Sequence, residues 1–333
     1  MSAALGFLSV RLTRRPTGYR ADMDVLSDAV AAMRTGRPHS RRQDLYAPWG
    51  WRFPASDGTG FHVVLQGSAW LIPAAGEPVA MGPGDVVFLA QGREYGLAGG
   101  LDVPLEDVRP LPDGTWPEAT PTAPPAPSGP PAVLLCGAYM LDRSRAHPLL
   151  AELPDVVHLP ARVGAHRSLR TAVELLGAEL EEPQPGSDTV VASLLDTLLL
   201  YILRAWWLSE RHRSGRPTGW AAALADPGVA AALRCIHGDP GHPWTVEDLG
   251  ARAGLSRAAF ARRFAALVGE PPLAYLTWWR MTTAARLLRA DDTPLRTIAQ
   301  LTGYTSEFAF AKAFKRAYGV APGQYRRQAA RTA

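Results

Sequence analysis

The C-terminal third of the chain carries one pattern of apolar and turn residues twice. The first copy reads Leu249, Gly254, Ser256, Phe260, Phe264, Gly269, Pro272 and Tyr275, and the second reads Ile298, Gly303, Thr305, Phe310, Phe314, Gly319, Pro322 and Tyr325. In each copy an apolar helical pattern ends at a glycine, and phenylalanines recur four residues apart beyond it. This predicts two short helices joined by a tight turn, with the phenylalanines facing inward. A duplicated helix-turn-helix accounts for the repeat most simply.

Capping signals set the bounds of these helices. Thr245 with Asp248 three residues later is a short-acid variant of the capping box. Ser256 and Ser306 are placed to cap the helices that follow the two turns. We therefore place the first helix-turn-helix at 245–268 and the second at 294–318. The second helix of such a unit is the one that enters the major groove of DNA.

One longer helix is predicted between the two copies. Residues 272–290 carry apolar side chains at helical spacing, namely Leu273, Leu276, Trp279, Ala284, Leu287 and Leu288. At 1.5 Å per residue such a helix spans roughly 25 Å. That length can hold two recognition helices near one helical turn of DNA apart, which is roughly 34 Å.

Between residues 23 and 160 the pattern changes to short apolar segments bounded by glycine and proline. Many short strands of this kind predict a small β-barrel or jelly roll. The run 61–72 reads as a hairpin that turns at Gln66–Gly67, and 82–90 reads as a turn into a buried strand. Residues 104–131 are rich in proline and poor in apolar side chains, which predicts a flexible excursion between two strands.

The segment 161–212 has a helical pattern. Residues 166–182 are amphipathic, and Ser187 is placed to cap a strongly apolar helix over 188–210. A helix that is apolar on nearly all sides must be buried, and one flank of a barrel does not cover it. We therefore expect the helical segment to form the contact of a homodimer, followed by a linker at 213–224.

Length and patterning together define the fold class. A chain of 333 residues can hold two or three domains. We expect a multidomain α+β protein with an N-terminal β-barrel or jelly roll, flanking helices for dimerisation, and an all-α double helix-turn-helix domain at 225–330. We expect no membrane-spanning helix, because no run in the sequence reaches the ~18 consecutive apolar residues that such a helix needs.

Charge is distributed unevenly between these regions. From Gly215 onward the chain has 16 Lys and Arg against 8 Asp and Glu, whereas the part before it has 19 against 23. A basic C-terminal third suits binding to a phosphate backbone, and a mildly acidic remainder suits a module that does not touch DNA.

Two features bear on the compartment and on the start of the chain. Cys136 and Cys235 fall in different predicted domains, so no disulfide framework is expected and a reducing cytoplasm is favoured. The basic segment 1–22 lacks the apolar core of a signal peptide. It is either a disordered arm or the product of a misassigned start codon, because the organised pattern begins at Met23.

The C-terminal residues resemble the AraC/XylS-type transcription regulators. The resemblance covers 226–327 almost without gaps. It rests on the sequences Pro-Leu-Ala-Tyr-Leu at 272–276, Ala-Ala-Arg-Leu-Leu at 284–288, Gly-Tyr at 303–304 and Phe-Ala-Lys-Ala-Phe-Lys at 310–315. It implies sequence-specific binding to double-stranded DNA, a homodimer and contact with RNA polymerase.

Candidate DNA contacts follow from the solvent side of each recognition helix and from the family motif. They are Arg257, Ala258, Ala261 and Arg262 on the first helix, and Glu307, Phe308, Ala309, Ala311, Lys312 and Lys315 on the second. Arginine and lysine bind phosphates or guanine, alanine meets thymine methyl groups, and glutamate accepts from cytosine N4. A solvated surface charge is the alternative for any one of them.

The N-terminal segment resembles the cupin domain of an AraC-type subgroup. The similar runs are Pro-Trp-Gly-Trp-Arg-Phe-Pro at 48–54, Gly-Asp-Val-Val-Phe-Leu at 84–89 and Leu-Leu-Cys-Gly at 134–137. Cupin enzymes hold a metal with several histidines and a carboxylate. Here His62 stands alone, and Tyr95 occupies the place where related regulators often have a second histidine. One histidine does not suffice for iron or zinc, so we expect no metal or cofactor.

Two kinds of sensing are open for this barrel. A small effector would lodge near Trp51, His62, Trp70 and Tyr95. Alternatively Cys136, which matches a place where some family members sense oxidants, is oxidised to a sulfenic acid or bridges two subunits. An inert buried thiol is the competing interpretation of Cys136.

Three functions remain in competition at this point. The first is a cytoplasmic transcription regulator that senses an effector or a redox signal through its barrel. The second is a cupin-type metal enzyme tethered to DNA. The third is a constitutive DNA binder whose barrel only dimerises.

Overall fold

The computed structural model describes residues 24–332 except 35, 37, 57, 110–130, 142–146, 162–165 and 215–218. The expectations for 1–22 and for most of the proline-rich excursion therefore lie outside the described residues. The described residues of the first half form ten strands: β1 (His39–Leu45), β2 (Gly50–Phe53), β3 (Thr59–Gln66), β4 (Ala69–Pro73), β5 (Val79–Met81), β6 (Val86–Leu89), β7 (Tyr95–Ala98), β8 (Glu106–Asp107), β9 (Ala132–Tyr139) and β10 (Val157–Leu159).

Helices precede, interrupt and follow the strands. The N-terminal part up to residue 214, which we call the sensor after its expected role, contains α1 (Val25–Met33), α2 (Pro148–Ala151), α3 (Arg167–Glu181) and α4 (Ser187–Ser214). The C-terminal part contains α5 (Gly219–Ala225), α6 (Pro227–Gly238), α7 (Val246–Arg252), α8 (Arg257–Val268), α9 (Pro272–Ala290), α10 (Leu295–Leu301), α11 (Glu307–Tyr318) and α12 (Pro322–Thr332).

The strands form two five-stranded sheets, which confirms the jelly-roll expectation. One sheet has the order β1-β9-β3-β6-β10 and the other β5-β4-β7-β2-β8. The predicted hairpin at Gln66–Gly67 is wrong, because β3 pairs with β6 and β9 whereas β4 pairs with β5 and β7. Gly67, with φ of 76°, turns the chain from one sheet to the other. Apolar alternation cannot distinguish this corner from a hairpin, since both join two strands by a short turn.

The inner strands of the first sheet, such as β3 and β6, are buried on both faces. Side chains at alternate positions point to opposite sides of a strand. Val64, Val87 and Leu134 belong to a core between the two sheets, whereas Phe61 and Phe88 belong to a larger core under the helices. This double burial explains why β3 reads as a continuous apolar run and not as an alternating one.

The larger core joins the sensor to the DNA-binding part of the chain. It contains buried residues of α1, β3, α3 and α4 together with residues of α6, α8 and the first half of α9. Helix α1 contacts both α6 and α9. A core that crosses a domain boundary holds the two domains in a defined relation, because separating them would expose apolar surface to water.

The linker expected at 213–224 is in part a helix. Helix α5 occupies Gly219–Ala225, and its Trp220 is fully buried in the shared core. The polar composition of 211–218 hid the short apolar run Trp-Ala-Ala-Ala-Leu that follows it. The two domains are therefore joined by packed structure over the second half of this segment.

The C-terminal helices confirm the double helix-turn-helix. Helix α9 spans both units: Tyr275 and Trp278 from its first half belong to the shared core, whereas Met281 and Leu288 from its second half belong to a separate core with α10 and α11. The first unit is thus packed with the sensor, and the second unit has a core of its own.

Candidate nucleic-acid interface

The first helix-turn-helix forms as its capping signals predict. The Thr245 hydroxyl accepts from the Asp248 N–H at 3.1 Å, and the Asp248 carboxylate accepts from the Thr245 N–H at 3.1 Å, so the capping box is complete. Gly254 ends the turn with φ of 68°. Ser256 then caps α8 by accepting from the Ala259 N–H. These contacts satisfy backbone groups that a helix terminus leaves unpaired.

The outward residues of α8 are solvent-accessible. Arg257, Ala258 and Arg262 are exposed and Ala261 is half-buried, whereas Phe260 and Phe264 are fully buried. Arg263 is also exposed, but its Nε donates to the Asp226 carboxylate at 2.6 Å. That carboxylate also accepts from the Val229 N–H at 2.9 Å, so it caps α6. Arg263 therefore holds α6 against α8, although part of its side chain remains exposed.

The second recognition helix, α11, presents an equivalent surface. Ser306 caps it by accepting from the Ala309 N–H at 3.1 Å. The predicted contacts on this helix lie outside its core: Glu307, Phe308, Lys312 and Lys315 are exposed, and Ala309 and Ala311 are half-buried. Phe308 is 80% exposed, the largest fraction among the exposed large hydrophobic residues of the described chain.

Arg280 on α9 fixes the two units relative to each other. Its Nε donates to the Pro240 carbonyl at 2.7 Å and its Nη2 donates to the His242 carbonyl at 2.8 Å, both in the loop before α7. The same guanidinium lies against Gly303 in the turn of the second unit, where an added Cβ would be 2.6 Å from Nη2. Gly303 also has φ of 78°. Arg280 therefore connects the first unit to the turn of the second.

A polar cluster lies between the two sheets of the barrel. His62 on β3 pairs in register with Cys136 on β9, and its Nδ1 is 3.0 Å from the Cys136 Sγ. Its Nε2 is 2.9 Å from the hydroxyl of Tyr95, which lies on the opposite sheet. The ring of Phe53 stacks on Tyr95 with centroids 4.8 Å apart. We call His62, Tyr95 and Cys136 the barrel cluster.

Burial keeps the barrel cluster uncharged. It lowers the pKa of His62 to about 4 and raises the pKa of Cys136 to about 12, against a smaller opposing effect of Arg41 on the thiol. It also raises the pKa of Tyr95 well above its usual range. A neutral imidazole donates from one ring nitrogen and accepts at the other, so the three side chains form one hydrogen-bonded chain across the barrel.

The expected effector residues are only partly brought together. Trp51 is buried in the core between the sheets, beside Phe53, and so faces the same interior as the barrel cluster. Trp70 does not join it: its neighbours Ala69 and Leu71 belong to that core, and strand alternation turns Trp70 to the other face. Among the described residues, no three His, Cys, Asp or Glu side chains are grouped so that they could hold a metal ion.

Sequence reasoning missed a second buried cluster, at the boundary between sensor and DNA-binding domain. The Tyr275 hydroxyl of α9 lies 3.3 Å from Nε2 of His147, just before α2, and 2.7 Å from Nε2 of His237 on α6. His147 and Tyr275 are 128 residues apart, so no local pattern links them. We call His147, Tyr275 and His237 the interdomain cluster.

The direction of each hydrogen bond in the interdomain cluster follows from the backbone. Nδ1 of His147 accepts from the Leu149 N–H at 3.0 Å, so the neutral ring carries its proton on Nε2 and donates to Tyr275. Tyr275 then donates to Nε2 of His237, which leaves the proton of this neutral ring on Nδ1. The nearest carboxylate, Asp28 of α1, is 4.0 Å from Nδ1, which is too far for a hydrogen bond. Burial lowers the pKa of His147 to about 3 and that of His237 well below its usual value, so both rings are neutral.

A further polar contact reaches the second unit. Arg289 at the end of α9 donates through Nη2 to the carbonyl of Arg34, the C-cap of α1, at 3.2 Å. Its Nη1 donates to the Tyr325 hydroxyl of α12. Arg34 itself forms an ion pair with Asp196 of α4. Helix α1 thus touches the DNA-binding domain at both ends, near His237 and near Arg289.

Comparison with known proteins assigns the family. A cupin family model matches residues 24–207 and a helix-turn-helix domain model matches residues 249–328. An AraC-like transcription regulator of Streptomyces antibioticus is 34% identical over 307 residues, which is 92% of this chain and 99% of that protein. The chain belongs to the AraC family of transcription regulators.

Two further similarities complete the comparison. The transcriptional regulator AlkR of Acinetobacter baylyi is 28% identical to this AraC-family regulator over 92% of this chain and 100% of its own length. The DNA-binding domain of AdpA, solved in complex with a target DNA, is 34% identical, covers 31% of this chain and 92% of that chain, and has a TM-score of 0.29. The expected family, fold class and regulatory function are confirmed.

Proposed function

We propose that this AraC-family regulator reads DNA through α8 and α11, using the ten residues named on those helices. One observation carries the proposal: Phe260 and Phe264 in the first unit, and Phe310 and Phe314 in the second, are fully buried, whereas the charged side chains of the same helices face solvent. The N-terminal residues of a recognition helix reach base edges. Arg257, Arg262, Lys312 and Lys315 supply positive charge for guanine or phosphate.

Replacing Arg262 by alanine is expected to weaken specific binding by roughly 1–3 kcal/mol, because one charge-assisted contact to a base or phosphate is lost. The measurement is fluorescence anisotropy of the full chain on a sequence selected from a random pool. Arg109→Ala removes the same charge from an exposed position that lies outside every helix, and this variant should bind as the wild type. Equal affinity of the Arg262 variant and the wild type at physiological salt would contradict the assignment.

We also propose a homodimer that forms through α3 and α4. Within α4, the stretch Ser187–His212 is apolar and long enough to cross a membrane. Only 39% of its most apolar part is buried by the rest of the chain, so much apolar surface is left uncovered. Val190 and Leu208 are 42% and 49% exposed. They are separated by 18 positions, which is about five helical turns, so they lie on one face. A second copy of this helix would cover that face.

Light scattering at micromolar concentration, with and without DNA, tests the dimer. Leu208→Glu should shift the equilibrium towards monomer, because a charge placed in an apolar contact must be desolvated. Leu101→Glu, at an equally exposed site outside the helices, should not. A strict monomer of the wild-type chain in both conditions would refute the proposal.

The signal is proposed to act on the barrel cluster. A small effector would find His62 and Tyr95 as hydrogen-bonding groups and Trp51 and Phe53 as apolar neighbours. Oxidation of Cys136 is the second candidate. The reactive form of cysteine is the thiolate, and burial raises the pKa of this thiol to about 12, which favours an effector over an oxidant.

The interdomain cluster is the proposed route from the sensor to the DNA. The core on the helical face of β3 runs without a break into the first helix-turn-helix. His147 is hydrogen-bonded to Tyr275 of α9, and α1 packs against both α6 and α9. A ligand that binds one sensor conformation better shifts the position of the first unit relative to the second. Such coupling is typically worth about 1–3 kcal/mol.

We place the regulator in the cytoplasm, where it meets DNA and RNA polymerase. The competing proposal of a metal enzyme tethered to DNA has less support, because the known relatives are transcription regulators and His62 has Tyr95 and Cys136 as its hydrogen-bonding neighbours. The constitutive binder differs from the sensor in one respect: no ligand of the barrel would change its affinity for DNA.

A further inference from the structure

The duplicated unit provides an internal comparison for one residue, Phe308. Shifting α8 by 50 positions places Ser256 on Ser306, Phe260 on Phe310 and Phe264 on Phe314. The caps match, and the phenylalanines aligned in this way are fully buried in both helices. Phe308 falls on Ala258 in this alignment. The fold of the unit is therefore complete with a methyl group at this place, and it does not need an aromatic ring there.

The ring of Phe308 is nevertheless held in solvent. It is 80% exposed and is the second residue of α11, two positions after the capping Ser306. Leaving a phenylalanine in water forgoes the free energy that its burial would contribute. Its position at the start of a recognition helix is the part of the unit that approaches base edges. The surface further along the helix is basic, with Lys312, Lys315 and Arg316, and suits the phosphates on either side.

We propose that Phe308 is a specificity-determining residue that reads the C5-methyl group of a thymine in the half-site of the second unit. The thymine methyl is the apolar group that the base edges present in the major groove, so it is the natural contact for an apolar side chain there. Glu307, beside it, has the chemistry to accept from the N4 amino group of cytosine. The inference rests on the proposed DNA-binding role of α11 and specifies which base that helix prefers.

The test removes the methyl group from the DNA. A sequence selected by the full wild-type chain from a random pool is synthesised with each thymidine of the second half-site replaced in turn by deoxyuridine, and binding is measured by fluorescence anisotropy. One replacement should weaken wild-type binding about fourfold, as expected when one methyl-sized apolar group is no longer withdrawn from water. The Phe308→Ala variant should bind the thymidine and deoxyuridine forms equally.

Two controls separate this effect from others. Leu301→Ala removes an exposed apolar side chain from α10, outside the recognition helix, and should keep the fourfold discrimination. Circular dichroism should show Phe308→Ala to be as stable as the wild type, since the ring is exposed. If the protein selects no sequence at all, the DNA-binding proposal itself fails.

Other outcomes overturn the Phe308 inference alone. These are a selected second half-site without thymine, or discrimination between thymidine and deoxyuridine that survives in Phe308→Ala. Another is a variant that binds every DNA as the wild type does but loses transcription with purified RNA polymerase, which would make the ring a protein contact.

Discussion

Replacing Phe314 by alanine is expected to unfold the second helix-turn-helix while the first remains folded. Phe314 is fully buried and contacts the rings of Phe310, Tyr318 and Tyr325, with centroids 5.7, 4.6 and 5.3 Å away. Loss of a buried phenylalanine side chain costs about 3–5 kcal/mol. The second unit has a core separate from that of the sensor and the first unit, so the loss falls on the second unit alone.

Hydrogen exchange of the full chain measures this outcome. Protection should fall across α10, α11 and α12 and persist in α8, and the DNA footprint should shrink to the half-site of the first unit. Phe308→Ala makes the same substitution on the same helix at an exposed site and should leave exchange unchanged. Equal loss of protection in α8 and α11 would show that the two units unfold together.

Replacing Tyr275 by phenylalanine is expected to uncouple the DNA-binding domain from the sensor. The change removes the hydroxyl that accepts from His147 and donates to His237 while the ring keeps its packing. Both histidines are buried, and each buried polar group left without a partner costs about 1–3 kcal/mol. The free energy of unfolding should fall accordingly in denaturant titrations. Tyr201→Phe, which removes a hydroxyl from a half-buried ring on α4, should change it little.

The effect of a barrel ligand on DNA affinity measures the coupling between the two domains, which a loss of stability alone would not change. A thermal-shift screen of metabolites and oxidants on the wild-type chain identifies the ligand of the barrel. That ligand should change DNA affinity of the wild type about 5- to 150-fold, the usual range of allosteric coupling. The Tyr275 variant should bind it with a similar thermal shift but with little change in DNA affinity. A variant that responds as strongly as the wild type would assign the coupling to other contacts, such as Arg34 with Arg289.

Local signals predicted the DNA-binding domain well. The capping box of Thr245 and Asp248, the caps Ser256 and Ser306, and the bounds of α9 agree with the structure. Each of these features depends on residues within one or two helical turns of one another. Short-range spacing is therefore enough to specify them. The outward side of each recognition helix follows from the same spacing.

The barrel was harder to predict in detail. The number and shortness of the strands indicate a jelly roll, but the pairing of β3 with β6 and β9 instead of β4 joins segments far apart in the sequence. The face to which Trp70 points depends on that pairing as well. The contact of His62 with Tyr95 likewise arises only when the two sheets close on each other.

Residues close together in the chain thus settle the helices, their caps and the surface offered to DNA, because those contacts span one or two turns. The position of the sensor against the DNA-binding domain depends instead on residues far apart in the sequence: His147 with Tyr275, Asp28 with His237, and Arg34 with Arg289. Such pairs form only when the apolar faces of α1, α6 and α9 are buried together. No periodicity in the sequence records which distant faces will meet.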